Sequence, residues 1–236
     1  MSLHDFLNYL LFGWYPYIAV TIMIGGSIYR FNTDQYSWRS KSSQLLRRRQ
    51  LMWGSVLFHI GVLVLFLGHA VGMLTPIVIF DAIGIPHDFK QKGAVIVGGI
   101  AGVLGFVGCT LLLHRRLSDA RIRATSSFAD IAVLSLIWLQ LLLGLSTIFW
   151  TLDHLDGQEM VTFMNWANGL LTVNPRAALL LTNTALIYKV HIVLGLTLFA
   201  LTPFTRLVHI WSVPVWFLGR PGYQVVRTRR TLGPAE

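Results

Sequence analysis

Four histidines lie within or at the end of apolar segments of this 236-residue chain, two towards each end. They are His59, His69, His191 and His209. An ionisable ring in a lipid-spanning helix is costly and usually faces a partner inside the helix bundle. Taken singly, such a histidine is more often hydrogen-bonded within the bundle than bound to a metal. Two helices that carry two imidazoles each could instead hold two metal centres stacked across a membrane, as a transmembrane electron carrier requires.

The amino-acid composition indicates that the helices that carry these imidazole rings span a membrane. The chain is 54% hydrophobic and 12% charged, with a mean hydropathy of +0.61, whereas about 25% of residues are charged in a typical soluble domain. A helix of about 20 apolar residues crosses the hydrocarbon core of a bilayer. Five segments have this length, which predicts an all-α bundle of five transmembrane helices in one domain over residues 1–236. The predicted spans are 4–29, 51–75, 92–114, 129–150 and 185–208.

The distribution of positive charge predicts the orientation of the bundle. Of the 19 Lys and Arg residues, 15 fall in segments 30–49, 115–128 and 206–230, which five spans place on one side of the membrane. Basic loops are retained in the cytoplasm, so the N-terminus is predicted outside and the tail 210–236 in the cytoplasm. This placement accounts for the net charge of +9 without a nucleic-acid partner.

Depth in the bilayer pairs the four histidines. At 1.5 Å per residue, His59 lies about 13 Å from the cytoplasmic end of the second span and His69 about 15 Å further out. The fifth span starts outside, so His191 lies near the outer surface and His209 at the inner end. We therefore expect His69 to pair with His191, and His59 with His209. On a helix of 100° per residue, His191 and His209 face the same way, with Pro203 bending the helix between them.

The neighbouring residue types favour haem as the metal group. Zinc sites usually add cysteine or carboxylate ligands, and the spans offer neither beside these rings. An iron with imidazole on both faces carries electrons and does not bind oxygen. The chain has one cysteine, Cys109, and no C-x-x-C-H attachment motif, which predicts two non-covalent b haems. Arg115, Arg116 and Arg206 at the inner surface could bind haem propionates, and they suit anionic lipid or helix C-termini equally well.

Several motifs give the chain a resemblance over nearly its whole length. They are FHIG at 58–61, GH at 68–69, GMLTP at 72–76, KQK at 90–92, HIVLG at 191–195 and RLVHIWSVP at 206–214, with YPYI at 15–18 and QYSWR at 35–39. Together they resemble the gamma subunit of respiratory membrane-bound nitrate reductase, a di-haem cytochrome b. The haem ligands of that family map onto His59, His69, His191 and His209, in the pairing that depth gives. Its quinol-site lysine maps onto Lys90, and the outer segment 151–184 matches least well.

The resemblance implies a role in a bacterial cytoplasmic (inner) membrane complex. Menaquinol or ubiquinol would be oxidised beside the outer haem, with protons released outside. Electrons would pass to the inner haem, then to an iron–sulfur beta subunit and a molybdenum alpha subunit on the cytoplasmic face. The chain alone would not reduce nitrate. For Lys90, position alone indicates an anchor whose ammonium reaches the interface, whereas the resemblance indicates quinol binding.

The sequence leaves two alternative functions open. The first is the cytochrome b subunit of another quinone-linked complex, of the formate dehydrogenase or hydrogenase type. The ligand spacing and the motif at 206–214 favour nitrate reductase over it. The second alternative is a haem-free proton conductor that uses the histidines as a relay. A visible spectrum separates the haem-free class from the other two.

Overall fold

The computed structural model describes residues 3–38, 46–153, 155–174 and 176–212. Within them, five helical segments are long and apolar enough to cross a membrane, which confirms the predicted all-α, five-span fold. The spans are α1 (Leu3–Thr33), α2 (Arg48–Leu74), α4 (His87–Ser118), α6 (Phe128–Thr151) and a fifth span that begins with α8 (Leu186–Leu201). Most of the predicted tail 210–236 lies outside the described residues.

Within the described residues, three short helices and two 3₁₀ turns lie between the spans. The helices are α3 (Ile77–Ala82), α5 (Ala120–Ala124) and α7 (Gln158–Leu171), and the turns are Gln35–Ser37 and Ala177–Leu181. Two further 3₁₀ turns, Thr202–Phe204 and Arg206–Ser212, follow α8. Along the bundle, α2 packs on α4, α4 on α6, α6 on α8, and α8 on α1. We call the end where α2 finishes and α8 begins the outer end, following the charge-based orientation.

Helix α7 covers part of the outer end of the bundle. It packs against α2 and against the turn Ala177–Leu181. Its Trp166 is buried and donates an indole hydrogen bond of 2.9 Å to the backbone carbonyl of Phe12 in α1. The sequence predicted no role for the segment 151–184. In the structure, this segment contacts both the first and the second span at the outer end.

The contact between α2 and α4 depends on glycine. A Cβ atom added at Gly61 would meet the backbone of Ala101 and Gly105, and one added at Gly108 would meet the backbone of Gly54 and Phe58. A backbone cannot turn aside as a flexible side chain can, so the two helices can approach this closely only where Cβ atoms are missing.

We expect Gly108→Ala to destabilise the bundle by about 1–3 kcal/mol, the usual effect of an extra methyl group forced into a packed contact. The measurement is thermal unfolding of the purified protein in detergent. Gly98→Ala is the matched control, because within the described part of the chain a Cβ at Gly98 meets no atom within 4 Å. Equal unfolding temperatures for the two variants would contradict this account of the contact.

The fifth span breaks before it reaches His209, which corrects the expectation of one bent helix. Regular α-helix ends at Leu201, and Pro203 lies in a 3₁₀ turn. Thr205 is extended, and a second 3₁₀ segment, Arg206–Ser212, carries His209. The rotation of 100° per residue in a regular α-helix therefore does not relate the directions in which the His191 and His209 side chains point. Proline removes a backbone donor and clashes with the preceding turn, which accounts for a break at this point.

Arg30 from α1 stabilises the break. Its guanidinium donates to the backbone carbonyls of Pro203 (2.6 Å) and Thr205 (3.0 Å). Pro203 itself lies against Gly26, where an added Cβ would come within 2.8 Å of the proline ring. Carbonyls freed by a broken helix need partners at membrane depth, and a cation from a neighbouring span supplies them.

Candidate metal centres

The structure brings the four histidines together as two separate pairs. The ring centroids of His59 and His209 are 6.4 Å apart, with 71° between the ring planes. Those of His69 and His191 are also 6.4 Å apart, at 38°. These are the pairs that depth in the bilayer predicts. One pair lies towards the inner end of the bundle and the other towards the outer end. Each has one ring from α2, and the second ring comes from α8 for His191 and from the segment Arg206–Ser212 for His209.

The spacing within each pair fits two imidazoles on opposite sides of one metal ion. With metal–nitrogen bonds of about 2 Å and ring nitrogens roughly 1.2 Å from the centroid, such rings have centroids about 6.4 Å apart. Among the described residues, no three His, Cys, Asp or Glu side chains are grouped so that they could hold a metal ion. A bare zinc ion usually takes four ligands. Two imidazoles suit a haem iron, whose in-plane ligands come from the porphyrin.

Three of the four rings have a defined hydrogen-bond partner at Nδ1, a backbone carbonyl three or four residues earlier. The pairs are His59 with Ser55 (2.7 Å), His69 with Leu65 (2.7 Å) and His209 with Arg206. Because a carbonyl only accepts, Nδ1 of each ring donates its proton and Nε2 keeps a free lone pair. A metal-binding histidine usually has its other nitrogen held in this way.

His191 is held differently, by a side chain that none of the sequence motifs indicated. The Gln140 amide nitrogen donates to the backbone carbonyl of His191 (3.1 Å) and lies 3.3 Å from its ring Nε2. Gln140 comes from the middle of α6 and is the only amide in the apolar run 131–150. A lone amide in a membrane span is itself a signal, because an amide at that depth needs polar partners.

His59 and His69 lie on a face of α2 that the described residues leave open. Only 6% of the most apolar part of α2 is buried, and His59 and His69 are both exposed. Cβ atoms added at Gly68 and Gly72 would meet no atom of the residues that the structure describes within 4 Å. A flat macrocycle would find both room and ligands on this face, and its ring would cover imidazoles that are costly to leave in lipid.

The predicted propionate-binding arginines lie at the inner end and have protein partners. Arg206 Nε pairs with the nearly buried Asp130 at 2.9 Å, which ties the segment that carries His209 to the start of α6. Its backbone carbonyl also accepts from His209. The other two arginines have these contacts: Arg116 donates to the Ser126 hydroxyl (2.9 Å) and Arg115 to the carbonyl of Leu46 (2.6 Å).

Lys90 points into the bundle at the outer end. Its ammonium lies 3.4 Å from the ring centroid of Phe80, 2.9 Å from the Met164 sulfur and 3.3 Å from the carbonyl of Gly72. Gly72 follows His69 by three residues in α2, so the ammonium lies towards the outer histidine pair. The contacts come from α2, α3 and α7, and the lysine is half-buried among them.

Lys92 has the exposed position expected of a surface anchor. It is exposed and pairs with Asp88 one turn earlier, at 2.9 Å. Two lysines that are two positions apart in one helix therefore have different surroundings, and the difference makes Lys92 a suitable control for Lys90.

Comparison with known proteins gives one consistent family. A family model described as nitrate reductase gamma subunit matches residues 8–229. The chain is 48% identical to respiratory nitrate reductase 1 gamma chain of Escherichia coli (strain K12), over 95% of this chain and 99% of the relative. It is 44% identical to respiratory nitrate reductase 2 gamma chain of the same strain, over 96% and 99%. Identity to nitrate reductase gamma chain of Bacillus subtilis (strain 168) is 40%, over 93% and 98%.

Proposed function

The chain belongs to the nitrate reductase gamma subunit family, and from this premise we propose that it is the quinol-oxidising, di-haem cytochrome b subunit of a respiratory nitrate reductase. The observation that carries the proposal is the presence of two imidazole pairs, one towards each end of the bundle. In each pair the ring centroids are 6.4 Å apart. Family membership favours this function over the formate dehydrogenase and hydrogenase alternatives.

In this proposal the four histidines would hold two haems. His59 and His209 would hold the inner haem, and His69 and His191 the outer one. Each haem, when bound, supplies a one-electron centre, and two such centres connect the outer and inner ends of the bundle. The chain itself orients the rings: backbone carbonyls fix three of the imidazoles, and the Arg206–Asp130 pair holds the segment that carries His209. Arg116 and Arg206 are proposed to face the inner propionates.

Lys90 is proposed to bind the quinol substrate. An ammonium has three donors, and the described contacts of Lys90 are a thioether, a carbonyl at 3.3 Å and an aromatic face. The thioether and the aromatic face are weak partners for a charged donor, so the ammonium keeps donor capacity for a further acceptor. A quinol oxygen would supply that acceptor, and binding it here would place the quinol ring beside the outer haem.

The remaining parts of the proposal concern placement and partners. The protein is a multi-pass membrane protein, and we place it in the bacterial cytoplasmic membrane with the inner end facing the cytoplasm. The basic residues of the inner end would lie against the iron–sulfur beta subunit, through which electrons would reach the molybdenum alpha subunit. Basic residues at this surface also attract anionic lipid.

A visible spectrum of the purified protein tests the proposal. We expect two b haems per chain, both reducible by a quinol. Each should be low-spin, because two imidazoles would bind its iron. The beta and alpha subunits should co-purify from cells that make the whole complex. A colourless, correctly folded protein would refute the proposal and leave the histidine-relay conductor.

A further inference from the structure

An imidazole and a carboxylate meet at the outer end of the bundle, one helical turn from Lys90. The Nε2 atom of His87, the first residue of α4, lies 2.7 Å from the Oδ1 atom of Asp81 in α3. An ionised carboxylate only accepts, so the ring donates through Nε2. The Nδ1 atom of the neutral ring therefore keeps its lone pair and can accept a proton.

The imidazole of His87 lies beside the ammonium of Lys90. The two residues are three positions apart in the first turn of α4, and residues at this spacing are neighbours on one face of a helix. Their partners are consecutive residues of α3. The Lys90 ammonium lies 3.4 Å from the ring centroid of Phe80, and His87 contacts Asp81. Two neighbouring residues of α3 thus contact two neighbouring residues of α4, so the imidazole adjoins the proposed quinol site.

The start of α7 fixes the position of His87. Gly157, which precedes α7, has a φ of +86°, and a Cβ added to it would come within 2.6 Å of the His87 Cβ and 2.8 Å of the His87 carbonyl carbon. Glycine adopts this φ at no steric cost and lets the two chain segments pass this closely. His87 is thereby confined between α3 and the start of α7.

His87 and Asp81 border an open cleft of about 460 Å³ at the outer end. Their side chains are 35% and 51% exposed, so water can reach both. Because α4 begins at the outer end, His87 lies one turn further out than Lys90. The imidazole therefore lies between the ammonium and the water outside.

The charged groups where α3, α4 and the start of α7 meet leave His87 as the group suited to exchange protons. Among the described residues these groups are Asp81, Asp88, Lys90, Lys92, Asp156 and Glu159. Asp88 pairs with Lys92 at 2.9 Å. Glu159 accepts from the Tyr188 hydroxyl, and Asp156 accepts from the backbone N–H of Gln158. A histidine ordinarily gains and loses a proton between about pH 5 and 8, and a carboxylate bonded to its ring stabilises the protonated form.

We propose that His87, oriented by Asp81, accepts the protons that a quinol bound at Lys90 releases and passes them to water in the cleft. This inference rests on the proposed function, in which Lys90 binds the quinol. An ammonium has no lone pair and cannot take a proton, so the site needs a separate base.

Oxidation of a quinol to a quinone removes two protons and two electrons. In each of two steps one quinol O–H bond breaks, one N–H bond forms at Nδ1 of His87, and one electron leaves the quinol for the outer haem. The ring then gives its proton to water on the outer side and returns to the neutral form.

His87→Ala tests the proposal in the purified full chain with both haems bound. The measurement is the rate of haem reduction by a water-soluble quinol, as a function of quinol concentration and of pH. The maximal rate should fall by about 100-fold, at the lower end of what a general base contributes. The half-saturating quinol concentration should change little, because Lys90 is kept. Added imidazole should restore part of the rate, since the cleft is open and alanine keeps the Cβ that Gly157 contacts.

The pH profile gives a second readout. In the unsubstituted protein the maximal rate should rise between about pH 5 and 8, as a histidine loses its proton and becomes able to accept one. His87→Ala should lack this rise. Asp81→Asn should move the rise to lower pH, because the protonated ring loses its carboxylate partner. His114→Ala is the matched control: this histidine of α4 contacts Gln50, and its variant should keep the profile and the rate.

The outcomes separate this proposal from the proposed function. A lowered maximal rate in His87→Ala that imidazole restores supports the proton-accepting role. An unchanged rate and pH profile overturns that role, as does a change in the half-saturating quinol concentration alone or a lost rate that imidazole does not restore. If His87→Ala fails to fold, Asp81→Asn decides, and an unmoved pH profile in that variant overturns the role. Failure of quinol to reduce the haems of the unsubstituted protein overturns both proposals.

Discussion

His59→Ala and His209→Ala are each expected to remove the inner haem and to leave the outer haem bound. His69→Ala and His191→Ala should do the reverse. The rings in each pair lie 6.4 Å apart, so the two imidazoles of a pair would hold the same haem. Loss of one of them should remove about half of the haem absorbance or convert the remaining iron of that site to high spin.

The measurement is haem stoichiometry with a reduced-minus-oxidised spectrum for each of the four variants. His114→Ala is the matched control, because His114 contacts Gln50 and has no place in either pair. It should keep both haems. If His59→Ala and His191→Ala removed the same spectral component and spared the other, the two haems would not bind in the pairs that the structure brings together.

Lys90→Ala is expected to lower quinol-driven reduction of the haems by roughly 10- to 100-fold, the range that corresponds to losing one charged hydrogen bond of about 1.5–3 kcal/mol. Both haems should remain bound, because Lys90 contacts neither ring of the outer pair through its described hydrogen bonds. An artificial donor that reduces the soluble subunits directly should still support nitrate reduction by the whole complex.

Lys92→Ala controls for general loss of positive charge at the outer end. Lys92 is exposed and paired with Asp88, so its removal should change quinol oxidation little. Equal, small effects of the two substitutions would show that Lys90 is a membrane anchor only. A large effect of Lys90→Ala that also appears with the artificial donor would point to damage beyond the quinol site.

The number and type of the spans could be predicted from the sequence because apolar length is a local property. The boundaries differ by a few residues: the third span was predicted at 92–114, whereas α4 runs from His87 to Ser118. Hydropathy marks only the part of a helix in hydrocarbon, and the helix continues through polar residues into the interface. The depth of each histidine follows from the constant rise per residue, so the two pairs could also be predicted.

The direction in which each side chain points and the groups that it contacts depend on the tertiary structure. Pro203 indicated a bend, but the break at Leu201 and its stabilisation by Arg30 involve residues more than 170 positions apart. Gln140 and His191 meet only because α6 packs on α8. Likewise, Lys90 turns inward because α3 and α7 offer it Phe80 and Met164. A membrane sequence determines by hydropathy and helical rise where each residue lies along the bilayer normal, whereas its side-chain partners are chosen by close packing between helices, which has no local signature.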